Sequence, residues 1–228
     1  RLSWIVESDE RSQVQTSYQV IVASDRKNLD RGVGDLWDSG KTASSRTVNV
    51  PYEGAVLSTG RHCWWKVRSW DRYGRMSSWS APAFWSMGIL SPTDWRGKWI
   101  GYPERPKVPP FVKGKPAPSG PPAPYFRKEF RVNKPVRSAV LSISARGMVV
   151  PRLNGKPVSD DMFAPEYTDY AKRIQYRTYD VARLLKRGGN TLGAVVGDGW
   201  YTGYIGIIMI RDFYGPRTGL LADLRIQY

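Results

Sequence analysis

Residues 62–71 read HCWWKVRSWD, and this stretch decides the fold class. Aromatic and β-branched side chains favour strands. Alternate residues of a strand point to the same face, so the stretch presents Trp65 and Val67 on one face and Trp64 and Lys66 on the other. Both faces are rich in large side chains, which predicts a strand packed inside a β-sandwich.

Further short strands lie on both sides of this stretch. Residues 71–74 (DRYG) predict a turn, and residues 15–24 (QTSYQVIVAS) alternate between apolar and polar side chains. Strands that recur at short spacing with turn residues between them indicate an antiparallel sandwich of the immunoglobulin or fibronectin type III kind. The other strands predicted in this part are residues 36–40, 47–50 and 83–87.

The second part of the chain predicts another set of strands and very little helix. Asn154-Gly155 is a strong hairpin signal, because a type I′ turn requires positive φ at both central residues. Residues 181–185 follow Asp180, a candidate N-cap, and predict one helical turn. The predicted strands are residues 125–132, 136–145, 149–153, 174–180, 191–196 and 220–227.

A proline-rich segment separates the two sets of strands. Residues 103–124 hold nine of the seventeen prolines, which excludes a regular helix or a central strand there. Residues 94–101 (DWRGKWIG) precede this segment and predict a strand of the second domain. We therefore expect an all-β chain with a first domain over residues 1–90 and a second over residues 91–228, in which residues 103–124 form an exposed loop.

The charge balance limits the partners. The net charge is +15, and residues 97–228 contain 22 of the 35 basic and 10 of the 20 acidic side chains. Such an excess can indicate nucleic acid or another polyanion. No block of five like charges occurs, which argues against nucleic acid and favours a solvated, arginine-rich β-surface. No run of 18 apolar residues occurs either, so no membrane-spanning segment is predicted.

Cysteine and histidine are too scarce for several kinds of site. Cys63 and His62 are the single cysteine and histidine, so an intrachain disulfide, a cysteine-based zinc site and a Ser-His-Asp triad are not expected. We predict a packed histidine and a buried free thiol at these positions.

The densest acidic segment is residues 160–169 (DDMFAPEYTD). Its carboxylates are either solvated loop residues or calcium ligands, since Ca²⁺ takes clustered oxygen ligands. The calcium hypothesis rests on Asp160 and Asp161, with Glu166 close by in sequence. Tyr167 either packs against the protein or offers a face to a sugar ring.

The segment at residues 197–203 (GDGWYTG) is the second candidate. Glycines on both sides of Asp198 permit a tight loop. Trp200 and Tyr201 either anchor the core or provide flat faces for a sugar, with Asp198 accepting hydroxyl hydrogen bonds.

Several segments, in order along nearly the whole chain, resemble the N-terminal region of bacterial α-L-rhamnosidases, a glycoside hydrolase family. The resemblance implies a fibronectin-type-III-like sandwich followed by a jelly-roll-like domain of the carbohydrate-binding type. The matching segments are QTSYQV (residues 15–20), LWDSGK (36–41), WKVR (65–68), SWS (78–80), DW (94–95), KWIG (98–101), RKEF (127–130), LNGKPV (153–158), YRTYDV (176–181) and GDGWYTG (197–203).

The same resemblance implies a role without catalysis. In that family the catalytic carboxylates belong to an α-helical domain C-terminal to these modules, so no catalytic residue is assigned here. We expect the chain to support such a domain and to contact rhamnose-containing glycans through Asp198, Trp200 and Tyr201 together with Asp160, Asp161, Glu166 and Tyr167. The alternative is a binding module for an extracellular polyanion or glycan with no enzymatic parent.

Overall fold

The computed structural model describes residues 1–102, 107–207 and 209–228. These residues form two compact units, Arg1–Asp94 and Trp95–Tyr228. Both units consist of antiparallel strands with short helical segments, which confirms the all-β prediction. In the part of the chain that the structure describes, no helix has the length and hydropathy needed to cross a membrane.

The first unit is organised around its two longest strands. Strands β1 and β4 pair over seven residues, from Ser17 opposite Trp70 to Ala23 opposite Trp64. The sheet order is β2-β1-β4-β5, and β3 also pairs with β1. The elements are β1 (Ser17–Ala23), α1 (Arg26–Asp30), β2 (Trp37–Asp38), β3 (Thr42–Ala43), β4 (His62–Trp70) and β5 (Ala83–Ser86).

Strand β1 is buried on both faces because its residues are apolar on both. Val20 and Val22 pack with Cys63 in one cluster, whereas Ile21 packs with Leu29 of α1 in another. Cys63 is a free, fully buried thiol, as predicted.

The second unit contains a three-stranded and a four-stranded sheet. Their orders are β10-β7-β12 and β6-β11-β8-β9. The elements are β6 (Tyr125–Val132), β7 (Ser138–Arg146), β8 (Met148–Leu153), β9 (Lys156–Pro157), β10 (Arg177–Asp180), β11 (Gly188–Gly197), α2 (Gly199–Thr202) and β12 (Gly219–Gln227). The jelly-roll topology of this unit stays a prediction.

Residues of both sheets form one apolar core. Leu141 and Ile143 of β7 and Leu153 of β8 are fully buried in it. The predicted turn at Asn154-Gly155 joins β8 to β9, with φ values of 53° and 78°. The Asn154 side chain also donates hydrogen bonds to the Leu184 carbonyl and the Asn190 amide oxygen, so it links the hairpin tip to the segment before β11 and to β11 itself.

Two local predictions are wrong. Residues 47–50 form no strand, and only Val50 bridges to Leu2. Residues 94–101 form no strand either: they begin at the end of a 3₁₀ turn (Pro92–Asp94), and their backbone pairing with β12 is an isolated bridge from Ile100 to Leu220. Helix α1 was not expected, although Asp25 caps it by accepting a hydrogen bond from the Asn28 amide.

The proline-rich loop is described only in part. Of the predicted loop, residues 103–106 lie outside the described residues. Residues 107–124 contain a turn at Lys113 and Gly114 but no helix or strand. The Tyr204 hydroxyl donates to the Pro118 carbonyl at 3.4 Å, so part of this loop lies beside the segment that follows α2.

Candidate functional site

The glycines around α2 bring this short helix against the turn between β7 and β8. Gly199 has φ of +51°, and a Cβ there would lie 2.8 Å from Cγ of Met148. A Cβ on Gly203 would lie 2.1 Å from the Gly199 carbonyl oxygen. Only glycine fits both positions, and this close approach fixes the positions of Trp200 and Tyr201 between them.

Asp198 forms an ion pair with Arg211. The Asp198 side chain is 20% exposed and that of Arg211 is 13% exposed, so both charges are largely removed from water. The Arg211 guanidinium also lies over the Tyr204 ring, 5.3 Å from its centroid. The carboxylate that we predicted as a sugar ligand is therefore engaged with a partner of its own chain.

Trp200 and Tyr201 meet the acidic segment through aromatic contacts. Trp200 lies 5.8 Å from Tyr167 between ring centroids, and Tyr201 lies 5.5 Å from Tyr170. The structure thus brings together the two segments that the sequence singled out, although they are about thirty residues apart. We call the group the aromatic cluster, and its members are Phe163, Tyr167, Tyr170, Trp200, Tyr201 and Tyr214.

The pKa is raised for two hydroxyl groups of the aromatic cluster, those of Tyr170 and Tyr214. Burial, with a smaller contribution from Tyr167, raises the pKa of Tyr170 to about 12. A hydrogen bond with Tyr167 and then burial raise the pKa of Tyr214 to about 12. The Tyr167 and Tyr214 hydroxyl oxygens are 3.1 Å apart. The Tyr170 and Tyr214 hydroxyl groups therefore donate and accept hydrogen bonds but do not supply negative charge at neutral pH.

The acidic residues of the predicted site are placed separately. Glu166 forms an ion pair with Arg177, and Asp161 accepts a hydrogen bond of 2.8 Å from the Tyr179 hydroxyl. Asp160 is exposed. Within the described ranges, no group of three or more His, Cys, Asp or Glu side chains could hold a metal ion. Calcium binding at Asp160 and Asp161 stays a prediction.

Arg211 and Tyr214 were not identified from the sequence. An antiparallel bridge between Ile205 and Ile210 turns the chain back on itself and returns Arg211 to Asp198. The pairing is therefore set by a local reversal of the chain, and no spacing motif encodes it. The sequence signal that could have indicated these two residues is their position, since Arg211 and Tyr214 follow the GDGWYTG segment closely.

Both units match known domain families. Residues 1–91 match the family described as the Rha78A-like N-terminal immunoglobulin domain. Residues 134–228 match the α-L-rhamnosidase N-terminal domain.

Curated relatives of this chain are α-L-rhamnosidases. One from Formosa agariphila is 38% identical over 204 residues, which is 90% of this chain and 22% of the relative. Another from Alteromonas sp. is 36% identical over 231 residues, which is 100% of this chain and 24% of the relative. The chain thus spans about a quarter of the length of these relatives.

Solved structures of α-L-rhamnosidases also resemble this chain along nearly its whole length. The α-L-rhamnosidase of Dictyoglumus thermophilum superposes with a TM-score of 0.87 at 31% identity, covering 99% of this chain and 25% of that one. The Streptomyces avermitilis α-L-rhamnosidase complexed with L-rhamnose superposes with a TM-score of 0.86 at 25% identity, covering 99% of this chain and 37% of that one.

The fold and the two matched domains define a pair of N-terminal β-domains of a glycoside hydrolase. The chain belongs to the α-L-rhamnosidase family and corresponds to the N-terminal region of its members.

Proposed function

We propose that this chain is the non-catalytic N-terminal part of an enzyme that hydrolyses terminal α-L-rhamnosyl residues. Its role is to support a catalytic domain located C-terminal to it in the same polypeptide. The observation that carries this proposal is the likeness to α-L-rhamnosidases, which extends through both units but accounts for about a quarter of the relatives.

The arrangement of carboxylates supports a role without catalysis. Glycoside hydrolysis normally requires two carboxyl groups placed on either side of the scissile bond. In the candidate site Asp198 is paired with Arg211, and Glu166 is paired with Arg177. Asp161 is hydrogen-bonded to Tyr179. Each of these three acids is thus engaged with an arginine or a tyrosine of its own chain.

A turnover assay tests this role. The 228-residue chain, incubated with a chromogenic α-L-rhamnoside, is expected to release no chromophore above the rate of a buffer control. Turnover that disappears on Glu166→Gln or Asp161→Asn, in a variant that remains folded, would contradict the proposal.

We further propose that the aromatic cluster contacts rhamnose. Tyr167 is 51% exposed and touches Trp200, so the cluster presents part of its rings to solvent. Rhamnose is neutral, and its binding here depends on apolar stacking and hydrogen bonds to Tyr201 and Asp198, with the segment from Asp160 alongside. Such shallow contacts give weak binding, on the order of millimolar or about −4 kcal/mol.

A titration with L-rhamnose tests the sugar contact. We expect saturable binding to the unmodified chain and its loss in Trp200→Ala, while Tyr125→Ala, which removes an 82% exposed ring on β6, binds normally. A calcium chelator and the double variant Asp160→Ala/Asp161→Ala test the metal hypothesis separately. Binding that survives in folded Trp200→Ala would contradict the assignment of this site.

A further inference from the structure

Tyr201 also lines a pocket that is separate from the contacts of the aromatic cluster described above. The pocket has a volume of about 420 Å³ and lies in the second unit, at the start of β12. This volume is within the range of small-molecule sites, roughly 300–1,000 Å³. The residues that matter for its chemistry are Trp99, Tyr102, Arg146, Tyr201, Arg217 and Thr218.

Aromatic rings form the walls of this pocket. Trp99 is 38% exposed and Tyr102 is 57% exposed, so both offer ring surface to a ligand. A Cβ on Gly219 would lie 3.3 Å from the Trp99 ring, and a Cβ on Gly215 would lie 3.0 Å from the Tyr201 ring. Glycine at these two positions lets the rings lie directly against the backbone and keeps the space between them open. Flat, partly apolar walls of this kind suit the C–H faces of a sugar ring.

Two guanidinium groups give the pocket positive charge. Arg146 and Arg217 line it and are exposed. The Arg146 guanidinium is positioned over the Trp99 ring, 4.9 Å from its centroid. Among the residues that the structure describes, no carboxylate forms an ion pair with either arginine. Arginine binds carboxylate and sulfate-like oxyanions through directed, charge-assisted hydrogen bonds.

A buried hydroxyl in the pocket lacks a partner in the described protein. Thr218 is 3% exposed, and its Oγ1 atom has no hydrogen-bond partner within the described ranges. A buried polar group without a partner costs free energy and is rare in folded proteins. The Thr218 oxygen is itself shielded from solvent, so the contacts available to a ligand in this pocket are its aromatic rings and its arginines.

We propose that this pocket binds an acidic saccharide, a sugar ring that bears a carboxylate or a sulfate ester. The sugar ring packs on Trp99 and Tyr102, and the anionic group lies between Arg146 and Arg217. The proposal goes beyond the rhamnosidase assignment and does not depend on it. It differs from the contact proposed for the aromatic cluster because charge contributes to recognition here.

Matched ligands test the requirement for the acid. In nuclear magnetic resonance titrations of the 228-residue chain, we expect methyl β-D-glucuronide or a glucose sulfate ester to shift the Trp99 indole signal saturably. Methyl β-D-glucoside should bind at least about tenfold more weakly, a difference of one good charge-assisted contact. A stronger response to the glucuronide than to the sulfate ester, or the reverse, identifies which acid the site takes. Inorganic sulfate should not reproduce the shift, because it lacks the ring.

Matched variants test the assigned residues. Thr218→Val keeps the shape of the pocket wall and removes a shielded hydroxyl that has no partner among the described residues, so neither Tm nor the affinity for the acidic sugar should fall. Arg217→Gln should remove the preference for the acidic sugar, whereas Arg183→Gln, which removes an exposed charge elsewhere in the unit, should leave it unchanged.

The proposal is overturned if the glucuronide and the glucoside bind equally or neither binds at tens of millimolar. It is also overturned if inorganic sulfate produces the same shifts, which would show an adventitious anion site, or if Arg217→Gln keeps the preference of the unmodified chain for the acidic sugar.

Discussion

Replacing Asp198 with alanine should destabilise the second unit strongly. Arg211 is 13% exposed, and its Nε atom already lacks a hydrogen-bond partner among the described residues. Without the Asp198 carboxylate, the contacts left to the buried guanidinium among the described residues are the Tyr204 ring and a distant Asp212, whose Oδ1 lies 3.9 Å from Nε. Removing one partner of a buried ion pair costs roughly 3–5 kcal/mol, and the residual exposure of Asp198 favours the lower end, about 3 kcal/mol.

This effect is large enough to measure reliably. A domain is stable by only about 5–15 kcal/mol, so a loss of about 3 kcal/mol should lower its Tm by roughly 10 °C. Scanning calorimetry should show the shift in the transition of the second unit and leave that of the first unchanged. Asp198→Ala/Arg211→Met should regain part of the loss, because it leaves no unpaired buried charge.

An isosteric pair of variants provides the control. Asp198→Asn and Asp212→Asn each remove one negative charge next to Arg211, but the Asp212 side chain is 43% exposed. Exposed ion pairs contribute at most about 1 kcal/mol, so Asp212→Asn should have little effect. Equal effects of the two variants, or a cost below about 1 kcal/mol for Asp198→Ala, would refute a structural role of this ion pair. A stable Asp198→Asn that loses rhamnose binding would support the proposed hydrogen bond between the carboxylate and the sugar, and would show that the ion pair contributes little to stability.

Three other properties can be measured directly. Asn154→Gly should cost about 3 kcal/mol in the free energy of unfolding, since the side chain makes three hydrogen bonds. Asn154→Ala should cost about 1 kcal/mol more, because its φ is positive; equal losses would contradict this reason. Burial raises the pKa of the Cys63 thiol, so thiol reagents should label it only in denaturant, and rapid labelling of the folded chain would show that it is accessible. Tyr170 and Tyr214 should titrate near pH 12 in tyrosinate absorbance. A tyrosine phenol in the unfolded chain titrates near pH 10. The free energy of unfolding should therefore be constant below about pH 10 and decrease as the pH rises toward 12. In Tyr170→Phe this decrease should be smaller.

The positions of strands and turns could be predicted from the sequence where one local residue pattern was strong. Residues 62–70 form β4, with both faces packed, because large side chains lie on both sides of the strand. Asn154-Gly155 became the β8–β9 turn because few dipeptides accept two positive φ angles in succession. Local physics alone determined both outcomes.

Positions that depend on tertiary contacts were not predictable in this way. Residues 94–101 have the composition of a strand, but a Cβ on Gly97 would lie 2.3 Å from the Ala222 carbonyl oxygen. The segment therefore runs close beside β12 and makes a single bridge to it instead of a continuous ladder. Likewise, the sequence indicated two candidate segments, but only the fold shows that Tyr167 meets Trp200 and that Asp198 is paired with Arg211.

The central claim is that these two domains serve an α-L-rhamnosidase. The most direct measurement is hydrolysis of a chromogenic α-L-rhamnoside by a polypeptide that continues beyond residue 228, compared with the same polypeptide lacking residues 1–228. The longer protein should hydrolyse the rhamnoside, and the shortened one should lose activity at a lower temperature, because the supporting domains are gone. Hydrolysis of a different glycoside but not of the rhamnoside, or equal thermal inactivation of the two proteins, would contradict the claim.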